Sequence, residues 1–373
     1  MMRKVVVFRS NLLPASETFV RNQADALENW QPTLMGLRRT DSPVSRHTDV
    51  IIEPRTKLHS RLHSLTGRSH RLSSFIQQSR AEVVHAHFAT DAWLVVKAAR
   101  AAGVPLVVTV HARDVTAALN QGSVLKRLIM RRRVKYALSH ADLVVTVSDY
   151  ITRHALTAGA KAERTVRLYT GTPIPEDRST RKEWDIVFVG RLVEKKGIDD
   201  LLEALAIIDS PGIRVAIVGD GPLKSMLVER ARTLSAQIRF LGMIRPQAVL
   251  ETIAASRVLA APSKTTRDGD IEGLPTVIIE ALALGVPVVA TRHSGIPEAV
   301  VDGVNGRLVD ERDVVALASA ISALVDDEAE AARCGARARE TAISAFDIQR
   351  QTAQLELLYD KVARSNLRGS RAG

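Results

Sequence analysis

Short apolar runs recur along the whole chain, and they constrain the fold more than any other feature. Nine of them are predicted strands, and they lack the in–out alternation of a sheet with one face in water. They are VVVF (5–8), VVHAHF (83–88), PLVVTV (105–110), DLVVTVS (142–148), DIVFVG (185–190), RVAIVG (214–219), IRFLG (238–242), RVLAAPS (257–263) and VPVVAT (286–291). Segments of helical pattern, such as 91–102 and 199–208, lie between them. Buried strands that alternate with helices predict an α/β protein with parallel sheets covered on both faces.

A segment rich in proline, threonine and charged residues divides the chain. YTGTPIPEDRSTRKEWD, residues 169–185, lies near the middle of the 373 residues and is followed directly by a new strand. A typical domain has about 100–200 residues, so the length allows two domains. We therefore predict one domain over residues 1–172 and a second over residues 173–347. Ligands bind beyond the carboxyl ends of strands in open parallel sheets, so a cleft between the domains is the expected site.

The positive charge is concentrated in the first half of the chain. Residues 1–172 contain 26 Lys and Arg against 12 Asp and Glu, whereas the remainder contains 26 against 29. We expect an anionic partner for the first domain. Nucleic acid is not expected, because aromatic residues make up only 4% of the chain and no nucleic-acid-binding module is recognisable. An anionic membrane surface or a phosphorylated substrate agrees better with this composition.

The segment KRLIMRRRVKYAL, residues 126–138, combines basic residues with apolar residues at helical spacing. Such a helix either lies on anionic lipid or is an ordinary solvated surface helix. The single cysteine, Cys334, excludes a disulfide framework, and the chain contains no apolar run of about 18 residues. The sequence therefore predicts a cytoplasmic protein, with peripheral attachment to the inner membrane face as an option.

The motif VGRLVEKKG, residues 189–197, places cations at a junction of strand, loop and helix. Arg191 follows the strand, and Lys195 and Lys196 precede the glycine and the next helix. Fixed cations beside a helix N-terminus suit a diphosphate. The alternative is a solvated basic loop, since Lys and Arg usually lie on surfaces.

Two neighbouring motifs favour structural roles. VGDGPLKS, residues 218–225, is a strand-to-helix turn that lacks the glycine preceding the lysine of a phosphate-binding loop, so a packing turn is favoured. The DGD string, residues 268–270, could hold a divalent ion, but no further ligands surround it in sequence. We favour an acidic loop and predict no metal site.

The stretch DGDIEGLPTVIIEALALGVPVVA, residues 268–290, brackets a short apolar helix with two glutamates. Gly273 lets the main chain approach a ligand, and Pro275 suits the first turn of a helix. Glu272 precedes this helix, whereas Glu280 lies within it among aliphatic residues. A carboxylate there needs either a structural partner or a ligand.

Together these motifs resemble the donor-binding signature of a known enzyme family. Glu272 and Glu280 are set in EGLPTVIIEALALGVPVVAT…SGIPEAV, and VGRLVEKKG, VGDGP, FLG and DGVNGRLV occur in the matching order. This arrangement is similar to the retaining glycosyltransferases of family four, also called group 1. The resemblance implies the GT-B fold, in which two Rossmann-like domains with parallel sheets face each other across a cleft. It also implies that the C-terminal helix, about 348–373, packs back on the first domain.

The resemblance implies specific roles for the residues of this signature. The donor-binding residues would be Arg191, Lys196, Gly273, Leu274, Pro275 and Glu280. In the family the two cations hold the nucleotide diphosphate, the second glutamate binds the ribose hydroxyls, and Glu272 helps to position the donor sugar. Fixed cations and a helix terminus stabilise the leaving diphosphate, so neither a metal nor another cofactor is expected.

The segment VTVHARDV, residues 108–115, looks like the family's His-Gly-x-Asp motif, with Ala112 in place of the glycine. The resemblance implies that His111 lies beside the reacting sugar, with Asp114 near it and in contact with the acceptor. The alanine restricts the close approach of the main chain that glycine would allow. A buried structural role for His111 is the alternative.

The segment RSNLLPASETFVRNQADAL resembles the P-x-S-E-T-F start of a subgroup similar to colanic-acid and exopolysaccharide glycosyltransferases. Ser16, Glu17 and Thr18 are candidates for acceptor binding. Simple helix capping, with Ser16 as the cap, is the alternative and is compatible with it. In VVHAHFATD, His85 and His87 share one face of a strand, and His87 is a further candidate for acceptor contact or for a structural role.

We therefore predict a retaining hexosyltransferase that uses a UDP- or GDP-sugar and a hydroxyl acceptor. The expected acceptor is a lipid-linked saccharide of cell-surface polysaccharide biosynthesis, at an anionic membrane surface. His111 and Glu272 are the predicted catalytic residues, and no side-chain nucleophile is assigned. One alternative is a soluble glycosyltransferase that acts on a small natural product. The other is a GT-B sugar-nucleotide epimerase or a protein that only binds nucleotide sugars.

Overall fold

The computed structural model describes residues 2–14, 17–176 and 181–371 of the chain. They form two compact units, the first made of Met1–Gly171 with Ile348–Gly373 and the second of Thr172–Asp347. Each unit contains one large sheet whose paired strands are all parallel. The α/β prediction with two parallel sheets is therefore confirmed.

The first unit is built around a seven-stranded sheet of order β5-β3-β1-β6-β7-β8-β9, beside a parallel pair of two-residue strands, β2 and β4. Its elements in chain order are β1 (Arg3–Phe8), β2 (Asn11–Leu12), α1 (Thr18–Asp25), β3 (Trp30–Gly36), β4 (Arg38–Arg39), β5 (Val50–Ile51), α2 (Lys57–Thr66), α3 (His70–Ser79), β6 (Val83–His87), α4 (Ala89–Ala101), β7 (Leu106–Val110), α5 (Ala117–Asn120), α6 (Val124–Ser139), β8 (Leu143–Thr146), α7 (Asp149–Thr157) and β9 (Thr165–Arg167). The aliphatic residues of the central strands β6, β7 and β8 are buried, as expected for strands covered on both faces.

The second unit contains a six-stranded sheet of order β12-β11-β10-β13-β14-β15. Its elements are β10 (Trp184–Val189), α8 (Ile198–Ile208), β11 (Arg214–Val218), α9 (Lys224–Ala231), β12 (Gln237–Gly242), α10 (Pro246–Ala254), β13 (Ser256–Ala261), α11 (Thr276–Ala283), β14 (Val288–Thr291), β15 (Gly306–Val309), α12 (Val314–Val325) and α13 (Glu328–Thr341). Apolar residues of α8 and α12 form one core with those of β10, β11 and β13.

The last helix, α14 (Ile348–Arg371), belongs to the first unit. Leu355 and Tyr359 join the core of that unit. The carboxylate of Glu356 accepts the main-chain N–H groups of three consecutive residues, Glu28, Asn29 and Trp30. Among the described helices, none is both long and apolar enough to cross a membrane.

All nine predicted strands are present, but the sequence pattern missed several others. The strand β3 contains Gln31, Pro32 and Thr33, which interrupt the apolar run that would have marked it. The strand β15 begins at Gly306, where a Cβ atom would lie only 2.2 Å from the carbonyl oxygen of Val288. These strands depend on tertiary pairing rather than on a local apolar run.

Candidate functional site

The loop after β10 carries the predicted diphosphate-binding cations. Arg191 is exposed, and no described residue hydrogen-bonds or ion-pairs with its guanidinium group. Lys195 and Lys196 lie in a helical turn that ends at Gly197. At Gly197 φ is +65°, and a Cβ atom would lie 1.7 Å from the carbonyl oxygen of Pro262. Only glycine fits this position, so the turn is held directly against the loop that follows β13.

The turn VGDGP packs against this loop, as predicted. The main-chain N–H of Leu192 donates to the carbonyl of Asp220 over 2.9 Å. A Cβ atom at Gly219 would lie 1.9 Å from the carbonyl oxygen of Gly190. The glycine is therefore required by the contact between two loops at the same edge of the sheet.

The side chain of Glu272 joins the two lysines. Its oxygens lie 3.4 Å from Nζ of Lys195 and 3.3 Å from Nζ of Lys196. Lys195 is also 3.3 Å from a carboxylate oxygen of Asp270, in the DGD loop. Burial would raise the pKa of Glu272, but the two lysines outweigh it and hold the pKa below its usual value. Glu272 is therefore ionised at neutral pH and fixes two ammonium groups beside it.

The carboxylates of the DGD loop are engaged by neighbouring residues. Asp268 accepts the hydroxyl of Thr266, and Asp270 contacts Lys195. In the part of the chain that the structure describes, no three His, Cys, Asp or Glu side chains cluster as metal ligands would.

The main chain at Glu272 is held by residues that the sequence analysis did not single out. Nε2 of His293 accepts the main-chain N–H of Glu272 over 3.0 Å. Nδ1 of the same ring is 2.6 Å from Oε1 of Glu311 and must therefore donate to it. The hydroxyl of Ser294 donates to the carbonyl of Glu272, and the N–H of Gly295 donates to the next carbonyl. Two local signals were present: RHSG directly follows a predicted strand, and Ser294 and Gly295 begin the SGIPEAV segment of the donor-binding signature.

The helix α11 begins at Thr276 with Pro275 in the cap position. No described residue accepts the main-chain N–H groups of Gly273, Leu274 or Thr276. Free N–H groups at a helix N-terminus form a site for an anion. They lie next in sequence to Glu272, at the edge where the two lysines are held.

Glu280 lies one turn inside α11 and is half-buried. Burial raises the pKa of its carboxyl to about 7. No described side chain hydrogen-bonds or ion-pairs with it, so the structural partner considered from the sequence is not found among the described residues. A half-buried carboxyl without a protein partner is suited to a ligand hydroxyl.

In the first unit, three histidines stack where β6 and β7 end. Nδ1 of His87 is 3.1 Å from Nε2 of His111, and their ring centroids are 5.4 Å apart. The His85 and His87 rings have centroids 4.5 Å apart, as expected for residues on one face of a strand. His85 also hydrogen-bonds Thr109 at 2.7 Å and the hydroxyl of Tyr359 at 2.6 Å.

All three rings are uncharged at neutral pH. Burial lowers the pKa of His85 and of His111 to about 3, and it lowers the pKa of His87 well below its ordinary value. The Arg9 guanidinium adds to this effect at His87 and His111. Nε2 of His87 is buried and has no hydrogen-bond partner among the described residues. The cluster can therefore donate and accept hydrogen bonds but carries no positive charge.

Asp114 contacts His111 through the main chain. Its carboxylate accepts the N–H groups of Ala89, Ala112 and His111, at 2.7, 3.0 and 3.3 Å. The imidazole of His111 instead bonds His87. Asp114 therefore joins the start of α4 to the loop after β7, and Ala112 is buried at that junction.

Glu17 and Thr18 lie at the start of α1, whereas Ser16 lies outside the described residues. Both oxygens of Glu17 accept from Arg9 over 2.7 Å. Arg9 also pairs with Asp91 and stacks 4.3 Å from the ring centroid of Phe88. Glu17 occupies the cap position without a side-chain capping bond, so its charge is used for a buried ion pair.

The helix α6 contains the basic segment 126–138. Its C-terminal residues Val134, Ala137 and Leu138 are buried, whereas Leu125 and Leu128 are exposed. The first half of the helix therefore presents apolar side chains to solvent between its basic ones.

Comparisons with known proteins agree with this geometry. The model of glycosyl transferases group 1 matches residues 174–341, and the model of glycosyltransferase family 4 matches residues 16–174. The chain is 30% identical to a GDP-mannose-dependent monoacylated α-(1-6)-phosphatidylinositol monomannoside mannosyltransferase of Corynebacterium glutamicum, over 73% of this chain and 74% of that protein. It is 38% identical to the putative colanic acid biosynthesis glycosyltransferase WcaL of Escherichia coli, over 46% of this chain and 44% of WcaL. The chain thus matches less than half of WcaL.

The solved structures extend the similarity over nearly the whole chain. HepE of Anabaena in complex with UDP has a TM-score of 0.77 and 21% identity, and the match covers 96% of this chain and 100% of HepE. A sucrose-phosphate synthase of Thermosynechococcus elongatus has a TM-score of 0.77 and 20% identity, and the match covers 97% of this chain and 100% of that protein. At these identities the structural likeness establishes the fold. The chain belongs to the group 1 glycosyltransferases of family four, has the GT-B fold, and resembles the exopolysaccharide members of that family.

Proposed function

We propose that this protein transfers a hexose from a nucleotide diphosphate sugar to a hydroxyl of a lipid-linked saccharide, with retention of the anomeric configuration. The observation that carries the proposal is the arrangement around Glu272. An ionised carboxylate holds Lys195 and Lys196 beside the free N–H groups that open α11. Cations and N–H groups at one edge of a sheet suit the diphosphate of a sugar nucleotide.

In the proposed donor complex, Arg191 and Lys196 bind the diphosphate. Arg191 is available for this role because no described carboxylate neutralises it. Glu280 accepts the ribose hydroxyls, and Glu272 with the main chain of Gly273–Pro275 positions the sugar. HepE binds UDP and UDP-glucose, and the Corynebacterium relative is named as GDP-mannose-dependent. These names support a UDP- or GDP-sugar as the donor.

The proposed reaction is front-side displacement at the anomeric carbon. The acceptor oxygen forms its bond to that carbon on the face from which the diphosphate leaves. The proton of the acceptor hydroxyl passes to the leaving phosphate oxygen, so no protein nucleophile is needed. Lys196 and the N-terminus of α11 stabilise the negative charge that develops on the diphosphate. No metal is required by this scheme.

His111 is proposed as the second catalytic residue. Its pKa of about 3 keeps the ring neutral, and Nε2 is engaged by His87. Nδ1 has no hydrogen-bond partner among the described residues and is available to a sugar hydroxyl. A neutral imidazole held in one orientation stabilises the transition state through a hydrogen bond rather than through charge.

The proposed acceptor is bound at an anionic membrane surface on the cytoplasmic face. The helix α6 contains six Lys and Arg residues and no acidic residue. Leu125, Leu128 and Ile129 are exposed among these cations. Exposed apolar side chains within a cationic surface fit anionic lipid, because each Lys or Arg near the bilayer contributes about 1 kcal/mol. The names of the colanic acid and amylovoran relatives support polysaccharide biosynthesis.

Thermal unfolding in the presence of UDP-, GDP- and dTDP-sugars tests the proposal. A donor present at about 100 times its Kd should stabilise the native protein by about 2.7 kcal/mol. Glu280→Ala should lose this stabilisation, whereas the control Glu251→Ala, on the exposed face of α10, should keep it. If none of these sugars stabilises the wild-type protein, the proposed donor chemistry is wrong. Conversion of the donor without any acceptor would instead identify an epimerase.

A further inference from the structure

An open pocket in the first unit contains three arginines that play no part in the site described above. It has a volume of about 560 Å3 and is lined by Arg39, Ile51, Glu53, Pro54, Arg55 and Arg71. Three guanidinium groups and one carboxylate line it, so its charge is positive. No described carboxylate forms an ion pair with any of the three arginines.

Main-chain carbonyls orient two of these guanidinium groups. Arg39 donates to the carbonyls of Arg46 and Asp49, each over 3.2 Å. Arg71 donates to the carbonyl of Glu53. Carbonyl acceptors hold a guanidinium in place without neutralising it, so the charge remains available to an anion.

The chain around the pocket has an unusual charge pattern. Residues 54–81 contain six Lys and Arg and no Asp or Glu. Arg55 immediately precedes Thr56, which caps α2, and Arg71 lies in the first turn of α3. The starts of two helices therefore supply two of the three arginines, and helix N-termini favour negative charge.

The pocket lies at the edge of the sheet where acceptor binding is expected. Arg39 and Arg55 follow the carboxyl ends of β3 and β5 by a few residues. The strand β5 is three positions from β6, which ends at His87. Since neighbouring strands are about 4.8 Å apart, the two places are separated by about 14 Å along that edge. A short saccharide could bridge this distance.

We propose that Arg39, Arg55 and Arg71 bind a phosphate group of the acceptor. This inference rests on the proposed function, because it specifies the chemistry of the molecule that receives the sugar. Arginine is suited to the role, since its planar group binds phosphate oxygens in pairs. The phosphate belongs either to a lipid headgroup or to a soluble phosphorylated acceptor.

The helix that follows Arg55 favours the lipid source. Leu58, Leu62 and Leu65 of α2 recur at a spacing of four and three residues and are 64, 48 and 63% exposed. Lys57 and Arg61 lie beside them in the sequence. The exposed leucines next to a phosphate-binding pocket would contact acyl chains while the pocket binds the headgroup.

Two binding measurements test the pocket independently of catalysis. All proteins carry Lys196→Gln, so that the donor-binding loop contributes little to phosphate binding. The probes are inorganic diphosphate, followed by calorimetry, and phosphatidylcholine vesicles containing phosphatidic acid, followed by sedimentation. Arg55→Gln and Arg71→Gln should each weaken binding by about tenfold. The control is Arg80→Gln, an exposed arginine at the C-terminal end of α3 and outside the pocket, and its effect should be below about twofold.

The two probes distinguish the source of the phosphate. Loss of diphosphate binding in the pocket variants supports recognition of the phosphate itself, as in a soluble acceptor. Loss confined to the vesicles supports a lipid headgroup. Equal losses in Arg55→Gln and Arg80→Gln, or no binding of either probe, would overturn the proposal. Neither measurement needs a sugar nucleotide, so failure of the pocket and failure of the proposed donor chemistry are separate results.

Discussion

The two units present different chemistry at the carboxyl edges of their sheets. In the second unit, ionised Glu272 holds Lys195 and Lys196 beside free N–H groups. In the first unit, a stack of uncharged rings leads from His85 through His87 to His111. The charged edge is suited to a diphosphate, and the neutral edge is suited to hydroxyl groups. A transferase needs both kinds of recognition, and here each is found on a different sheet.

A buried ion-pair cluster of Arg9, Glu17 and Asp91 supports the neutral edge. Breaking this cluster should have the largest effect among the proposed substitutions. Arg9 is 14% exposed and pairs with Glu17 and Asp91, whose side chains are 10% and 8% exposed. Arg9→Ala leaves two buried carboxylates without their partner. We expect the free energy of unfolding to fall by about 3–5 kcal/mol, measured by urea denaturation.

The control for Arg9→Ala is Arg46→Ala, which removes an exposed arginine paired with Asp25 in the same unit. Its expected cost is below about 1 kcal/mol. Similar losses in the two variants would show that the Arg9 cluster is no more important to the fold than an ordinary surface pair.

Substitutions at the charged edge should reduce the rate of transfer more than they reduce the stability of the protein. Glu272→Gln keeps the size of the side chain but removes the charge between the two lysines. We expect transfer to fall by about 10²–10³-fold while donor binding stays measurable, since the interaction acts on the transition state. Steady-state transfer and thermal stabilisation by the donor are the two measurements.

Asp270→Asn is the matched control for Glu272→Gln, because Asp270 contacts the same Lys195. It should reduce transfer far less. An equal reduction would mean that either carboxylate beside Lys195 supports transfer to the same extent. Glu272 would then have no specific role at the sugar.

The pKa of Glu280 provides a test that depends on pH. Its pKa of about 7 in the folded protein lies above the value of about 4.3 in an unfolded chain. The raised pKa stabilises the unliganded protein below about pH 4.3, and this contribution is lost as pH rises through 7. Glu280→Gln should remove this dependence, so its stability relative to wild type should increase with pH by up to about 4 kcal/mol.

Donor binding should show the opposite dependence. If the ionised carboxylate accepts the ribose hydroxyls, thermal stabilisation of the wild-type protein by the donor should rise through pH 7. In Glu280→Gln it should be weak and independent of pH over the same range. A wild-type protein whose donor affinity does not change between pH 6 and about pH 8 would contradict this role.

The charged edge was easier to predict from the sequence than the neutral one, for a physical reason. Its lysines and Glu272 lie in short continuous motifs at the ends of apolar strands, where local sequence determines position. The pairing of His293 with Glu311 was missed because it depends on β15, a strand with no long apolar run. Apolar patterns predict which strands are buried, but not which polar groups meet across the sheet.

At the neutral edge the partners are far apart in the chain. Arg9 meets Asp91 across 82 positions, and His85 meets Tyr359 across 274. No periodicity or spacing rule predicts such contacts. The first arises when β1 pairs with β6, the strand that precedes α4, and the second arises when α14 returns to the first sheet. The sequence indicated His87 and His111 as candidates, yet it could not show that their rings bond each other.

The smallest expected effect is that of His87→Phe, which tests whether His87 positions His111 or only packs against it. His87→Phe keeps a ring of similar size but removes the nitrogen that bonds His111. Nε2 of His87 has no partner among the described residues, so replacing it with carbon should cost little stability. If His87 positions His111, the rate of transfer should fall by about tenfold with donor binding unchanged.

His85→Phe is the matched substitution one step along the same strand. It leaves the hydroxyls of Tyr359 and Thr109 buried without their histidine partner, which should cost about 1–3 kcal/mol of stability. Its effect on the rate should be small, because His85 does not hydrogen-bond His111. His87→Phe should therefore slow transfer with little loss of stability, whereas His85→Phe should reduce stability with little effect on the rate. If His87→Phe transferred sugar at the wild-type rate, the neutral edge would be a packing feature, and His111 would need no partner to act.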